Sequence, residues 1–493
     1  MAIDDLFSAV NLEDAPRGWQ ARVILATHRQ DLTQTGDIPR PPQKARLATI
    51  QRIAPEILRM MFTFAKPSDL ADCFPSRKSP PLTLIQVCSL WRRIALATPD
   101  LWTGLYISLY NRIIPRDPAN VRRYEELATQ WFSRAGPHLG LSLQFDDSVY
   151  INHHDFSNII LSRPERFKEL RIRLQETRSL ATFIRGHGNA SFAFSLLEDL
   201  TINCYQSGVG VSFAAAGCLR RMNVRIPFDS WLKMENFAPW EQLTCLETGS
   251  LQGSVWVPLL AQCINLENGT FEINHSFDEL LPAVNVSMAR LTSLSITFAG
   301  EPSSIDVFDG FRFPALTLLH LELGWDFSWH NAEHFYDQLR SLRTFTFVGQ
   351  PKDLLRLLPH TPSLIHLHAT IHPDLDALLI GLTATNVFNT LVPDLKQLAI
   401  QPNWEWFHWS SPPSVGSLLT MVASRTEHNH ALPCSLEYLA IVIPDVELGG
   451  LDSSDLERRL HALQMSRSDN HGMIPYRMMN MEMMVTHVWR RAN

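Results

Sequence analysis

The chain has 493 residues, more than one compact core normally holds, so several domains or a repeat architecture is expected. Apolar residues make up 45%, enough for a folded chain, and a formal net charge of -7 without a long basic run argues against nucleic acid as the partner. Seven scattered cysteines without any C-x-x-C pair argue against a disulfide framework and for a reducing compartment, cytoplasmic or nuclear. Asp4 and Asp5 stand where a signal peptide needs basic residues, and no stretch approaches the ~18 apolar residues that span a bilayer, so no membrane is expected.

Residues 1–48 are polar, with turn signals at Gly36-Asp37 and from Pro39 to Pro42. They read as a flexible lead-in with one short helix around Trp19 to His28. Residues 49–104 read as a small helical domain. Ile53 precedes a first helix, Pro55 suits its first turn, and Glu56 suits the positive end of its dipole. Ile57, Leu58, Met61 and Phe62 form an apolar stripe at helical spacing. A second helix carries Leu84, Val87, Cys88, Trp91, Ile94 and Ala95 at three- and four-residue steps, all on one face. Thr98-Pro99 stops it, and Leu101 and Trp102 follow. Between the helices, Lys66 to Pro80 is rich in Pro and Ser and reads as a surface loop.

Ile53, Pro55, Glu56, Ile57, Leu58, Val87, Cys88, Trp91, Pro99, Leu101 and Trp102 together resemble an F-box, in the form found in mushroom-forming fungi with leucine-rich repeats behind the box. The resemblance implies a box that docks on a Skp1-type adaptor and, through it, on a cullin–RING ubiquitin ligase. The docking set it suggests is those residues together with Met61, Phe62 and Ile94.

Residues 105–160 read as a connecting segment. It has a strand at Leu105 to Leu109, a helical stripe through Tyr124, Leu127, Trp131 and Phe132, and a strand from Leu139 to Phe145. From residue 161 to 493 a repeat appears: an anchor, two variable residues, a second anchor, one variable residue and a third anchor. Phe167-Leu170-Ile172, Leu197-Leu200-Ile202, Leu291-Leu294-Ile296, Leu316-Leu319-Leu321 and Leu395-Leu398-Ile400 are clear copies. Leu243-Leu246 lacks an apolar third anchor, and Gly269 stands at the middle anchor between Leu266 and Phe271. From Leu197 to Leu364 first anchors recur about every 22 to 26 residues, inside the leucine-rich-repeat range of about 20–29. One copy cannot hide its own apolar face, so stacking is required. The expected fold is α/β: the helical domain followed by an irregular leucine-rich-repeat solenoid. It would carry a parallel sheet on the concave face, lack an Asn ladder, and be capped by a methionine-rich terminal helix.

No catalytic constellation is legible and no cofactor is implied. Gly208-Val209-Gly210 lacks the third glycine of a dinucleotide site. His153-His154 and Glu427-His428-Asn429-His430 lack a third ligand for zinc nearby. Two aromatic clusters follow strands: Trp325, Phe327 and Trp329, then Trp404, Trp406 and Trp409. They read either as a substrate-recognition ridge or as satellite cores under the longer insertions. Arg171, Arg173 and Arg225, predicted on the concave face with Thr297, His320, Glu322, Thr346 and His368, suit an acidic or phosphorylated partner or a plain solvated face. The functional expectation is a substrate receptor of a Skp1–cullin–F-box ligase, acting by proximity on an unknown protein substrate. The alternative is a repeat scaffold working outside ubiquitination.

Overall fold

The computed structural model describes residues 53–76, 79–108, 118–147, 160, 162–174, 194–204, 212–226, 234–275, 280–299, 303–324, 327–330, 332–371, 374–384, 391–402, 414–426, 436–444, 458–461, 465–467 and 484–491. Two compact units result. The first runs through Thr201 and includes Ala215–Cys218; the second comprises Ile202–Ala214 and Leu219 onward.

Among the described residues of the first unit, three α-helices precede the strands: α1 (Pro55–Phe64), α2 (Leu82–Val87) and α3 (Ser89–Leu96). The sequence predicted one helix across Leu84 to Ala95. Cys88 instead adopts extended φ and ψ of -160° and 171°, ends α2, and caps α3 through a sulfur that accepts the Trp91 N–H at 3.5 Å. Then come β1 (Gly104–Ser108), α4 (Pro118–Arg134), β2 (Leu141–Asp147) and β3 (Phe167–Leu174), whose strands pair in parallel. Parallel pairing therefore starts inside the stretch expected to be a connector. The Lys66 to Pro80 segment is also more than a surface loop. Leu70 and Cys73 are buried, Gly104 sits against both side chains, and the Cys73 carbonyl accepts the Tyr106 N–H at 3.2 Å. The segment thus covers the edge of β1 that β2 leaves open.

Two indoles lock this region. Trp102 and Trp131 meet edge to face at 4.9 Å, with the Arg134 guanidinium 4.6 Å above the Trp102 ring. Their N–H groups donate to Ala95 O and Gly104 O, both at 3.0 Å, so neither large ring buries an orphan donor.

β4 (Asp199–Asn203) lies at the division between the units. The second unit contains β5 (Arg221–Arg225), β6 (Cys245–Gln252), β7 (Asn268–Asn274), β8 (Ser293–Phe298), β9 (Leu318–Glu322), β10 (Thr344–Gly349), β11 (His366–Ile371), β12 (Gln397–Pro402) and β13 (Tyr438–Pro444). Each pairs in parallel with the next. The anchors align: Leu294, Leu319, Phe345, Leu367, Leu398 and Leu439 form one buried row across the sheet. Burying each such side chain contributes about 1.5–3 kcal/mol. Helices α5 (Gly253–Gln262), α6 (Pro351–Leu357), α7 (Leu375–Leu382) and α8 (Val415–Thr426) return the chain between strands.

Backbone takes the place of the missing Asn ladder. The residue before each strand, from Arg220 through Thr244, Glu267, Thr292, Thr317, Arg343, Ile365 and Lys396, offers one carbonyl to two successive N–H groups of the following copy. Thr244, Thr292 and Thr317 add hydroxyl donors to the same carbonyls at 3.2–3.3 Å. The two irregular copies also have physical causes. At Gly269 a Cβ would lie 2.6 Å from the Phe271 ring, which fills the middle-anchor slot itself. Thr248 takes the third-anchor place after Leu246, beside an irregularity in the β6 register.

The C-terminal helix expected from the methionine-rich stretch is not formed over its described part. Met484–Arg491 is a strand, β15, running antiparallel to β13, and β14 (Met465–Arg467) pairs on its other side. Long-range strand pairing overrides the helix preference of methionine here.

Candidate interaction surfaces

Helix α1 has two apolar faces, not one. Leu58 and Phe62 point inward, and the Phe62 ring packs on Trp91 with centroids 5.0 Å apart. On the other side Ile57, Met60, Met61 and Phe64 recur at i, i+3, i+4 and i+7, with exposures of 48%, 55%, 48% and 83%. Four adjacent large apolar side chains left in water form the kind of patch that marks an interaction site.

The docking set suggested by the F-box resemblance divides accordingly. Pro55, Glu56, Ile57, Met61, Val87, Cys88 and Pro99 are exposed, while Ile53 and Trp91 are half-buried. Leu58, Phe62, Ile94, Leu101 and Trp102 are buried and hold the helices together, so a partner cannot touch them without unfolding. Sequence reasoning missed Met60 and Phe64. They carry the same three- and four-residue spacing when counted from Ile57, but spacing alone does not say which stripe faces inward.

On the strand array, Trp325, Trp404, Trp406 and Trp409 lie outside the described residues. Phe327 and Trp329 are half-buried links in an aromatic chain. Phe298 and Phe327 are 4.8 Å apart, Phe327 and Trp329 4.9 Å, Trp329 and Tyr336 6.3 Å, and Tyr336 stacks on His360 at 4.2 Å. Trp329 also donates to the buried Asp353 carboxylate. These two aromatics are committed to packing against their own repeat neighbours.

The three arginines are paired. Arg171 contacts Glu169 at 2.7 Å and Asp69 at 3.4 Å, Arg173 approaches Asp146 at 3.9 Å, and Arg225 contacts Glu247 at 2.6 Å. Carboxylates on the same or neighbouring elements offset the charge expected to attract an acidic partner. On the open side of the second unit's sheet, Thr297, Glu322, Thr346 and His368 are half-buried and His320 is buried. Burial pushes both imidazoles below their ordinary value, and His320 lowers His368 further.

Among the described residues, no group of three or more His, Cys, Asp or Glu side chains could hold a metal ion. No described helix is long and apolar enough to cross a membrane. Neither a family model nor a curated protein matches this chain. Among solved structures it is similar to an internalin from Listeria monocytogenes str. 4b F2365, at 13% identity over 60% of this chain and 75% of that one. The TM-score of that match is 0.25, and the repeat fold rests on the strand registers above, not on the likeness.

Proposed function

We propose that this chain is a substrate-recognition adaptor. Its helical region acts as an F-box that holds a Skp1-type adaptor and, through it, a cullin–RING ubiquitin ligase. The strand array, a solenoid of leucine-rich-repeat type, holds the protein to be modified. The observation that carries this reading is the water-exposed stripe of Ile57, Met60, Met61 and Phe64 beside the motif residues Pro55 and Glu56. An amphipathic helix with a spare apolar face is a handle for another helix or groove. The chain needs no nucleophile in this role, because tethering raises the effective concentration of the transferring enzyme at the target.

The test is co-purification of Skp1 and cullin with the full chain and with Ile57→Asp/Phe64→Asp. The variant should lose Skp1 while its circular-dichroism spectrum and melting temperature stay those of the parent. Skp1 retained at parental levels would remove the reading.

A second reading is a repeat scaffold outside ubiquitination. It draws support from the Lys66 to Pro80 segment, which ties the helical region to β1 through Cys73 and Tyr106. A parent chain that captures protein partners but neither Skp1 nor cullin would favour it.

A further inference from the structure

The open face of the second unit's sheet has an uneven charge. From β7 to β12 its side chains include two carboxylates, Glu272 and Glu322, and no lysine or arginine. Both belong to one row across the strands: Glu272 is opposite Thr297, and Thr297 is opposite Glu322. Adjacent strands lie ~4.8 Å apart, so the two carboxylate-bearing Cα atoms are about 10 Å apart. The Thr297 hydroxyl donates to Glu322 Oε2 at 3.0 Å and fixes that carboxylate on the face. Neither Glu has an ion pair among the described residues, whereas the next carboxylate toward β5, Glu247, is neutralised by Arg225.

We propose that this face seats an extended polypeptide segment through an arginine or lysine held between Glu272 and Glu322. The proposal rests on the reading above that the strand array holds a protein target, and it names the chemistry of that target. Two carboxylates and a hydroxyl supply too few oxygens for calcium. A guanidinium, with five donors in a planar fork, can span both acceptors at once. The row one step back, through Thr270 and Ser295, presents two short hydroxyl side chains. Such side chains let a partner backbone approach and offer it hydrogen bonds.

The experiment uses the full chain and fluorescence anisotropy with short peptides of one Gly-Ser-Leu frame carrying two arginines, two citrullines or two glutamates. The arginine peptide should bind about tenfold or more tightly than the others, with the preference shrinking as salt rises. Glu272→Gln/Glu322→Gln should abolish the preference without lowering the melting temperature, since neither carboxylate has an ion pair to lose. Equal binding of all three peptides, no binding by any, or a preference that survives the double variant would each overturn the proposal. Skp1 co-purification, measured on the same double variant, is independent of this face. Its loss or retention therefore judges the adaptor reading separately.

Discussion

The indole N–H of Trp329 donates to the Asp353 carboxylate at 2.8 Å. Asp353 is buried, and burial holds its carboxyl above the usual range, against the opposing pull of that indole and of Lys352 and Arg356. An aromatic that satisfies a buried carboxylate is part of the scaffold. Trp329→Phe should therefore cost about 1–3 kcal/mol in a denaturant titration, the range for leaving a buried polar group unpaired. It should leave partner capture unchanged; lost capture at parental stability would restore the recognition ridge.

The two faces of α1 should respond unequally to substitution. Leu58→Ala empties a fully buried site in α1 and should destabilise the first unit by about 2–5 kcal/mol. Phe64→Ser removes a ring already in water and should change stability by less than about 0.5 kcal/mol. Chemical denaturation of the two variants, side by side, measures the difference. Similar losses would mean that the outer stripe is structural.

Thr248 is buried at a third-anchor position, and its hydroxyl has no hydrogen-bond partner among the described residues. Thr248→Val keeps the shape and removes the orphan group. A gain of about 1 kcal/mol is expected, read as a raised denaturation midpoint. A loss would reveal a hidden partner for the hydroxyl.

Arg425 is buried in α8 and donates to three carbonyls: Leu382 and Leu391 at 2.7 Å, and Val392 at 3.2 Å. It ties α8 to the end of α7 and to the chain entering β12. Arg425→Met should cost about 3 kcal/mol, and Arg425→Lys should recover only part, because an ammonium cannot reproduce the fork. Full recovery by Lys would mean that charge, and not geometry, matters there.

His320 and His368 flank Thr346 in one row of the sheet. Burial holds both below the ordinary histidine value, so the unfolded chain takes up protons before the folded chain does. Their contribution to stability is full above about pH 6.5 and declines as pH falls below it. Melting temperatures between pH 7.5 and 5 should drop less steeply in His320→Gln/His368→Gln than in the parent. Parallel slopes would count against this assignment.

The repeat was legible because its signal is local and redundant. Each anchor triplet needs only alternation, and copies such as Leu319-Leu321 and Phe345-Phe347 fall in register. What escaped the sequence was set by pairing at a distance. Nothing near Met484 announces that its strand will meet Tyr438–Pro444, some forty residues upstream. Likewise α1 displayed an apolar stripe, but only the packing of Phe62 on Trp91 decides that Leu58 and Phe62 turn inward while Phe64 faces water. Cys88 looked like one more member of a helical face, yet its extended backbone ends one helix and starts another.

The Cys73 carbonyl bonded to Tyr106 has an implication for how this kind of chain can vary. A parallel sheet whose first strand is bare invites a foreign strand to continue it. Here the stopper is the segment between α1 and α2, not a repeat. Trimming Lys66 to Pro80 should therefore uncover the β1 edge and raise the tendency of the chain to self-associate.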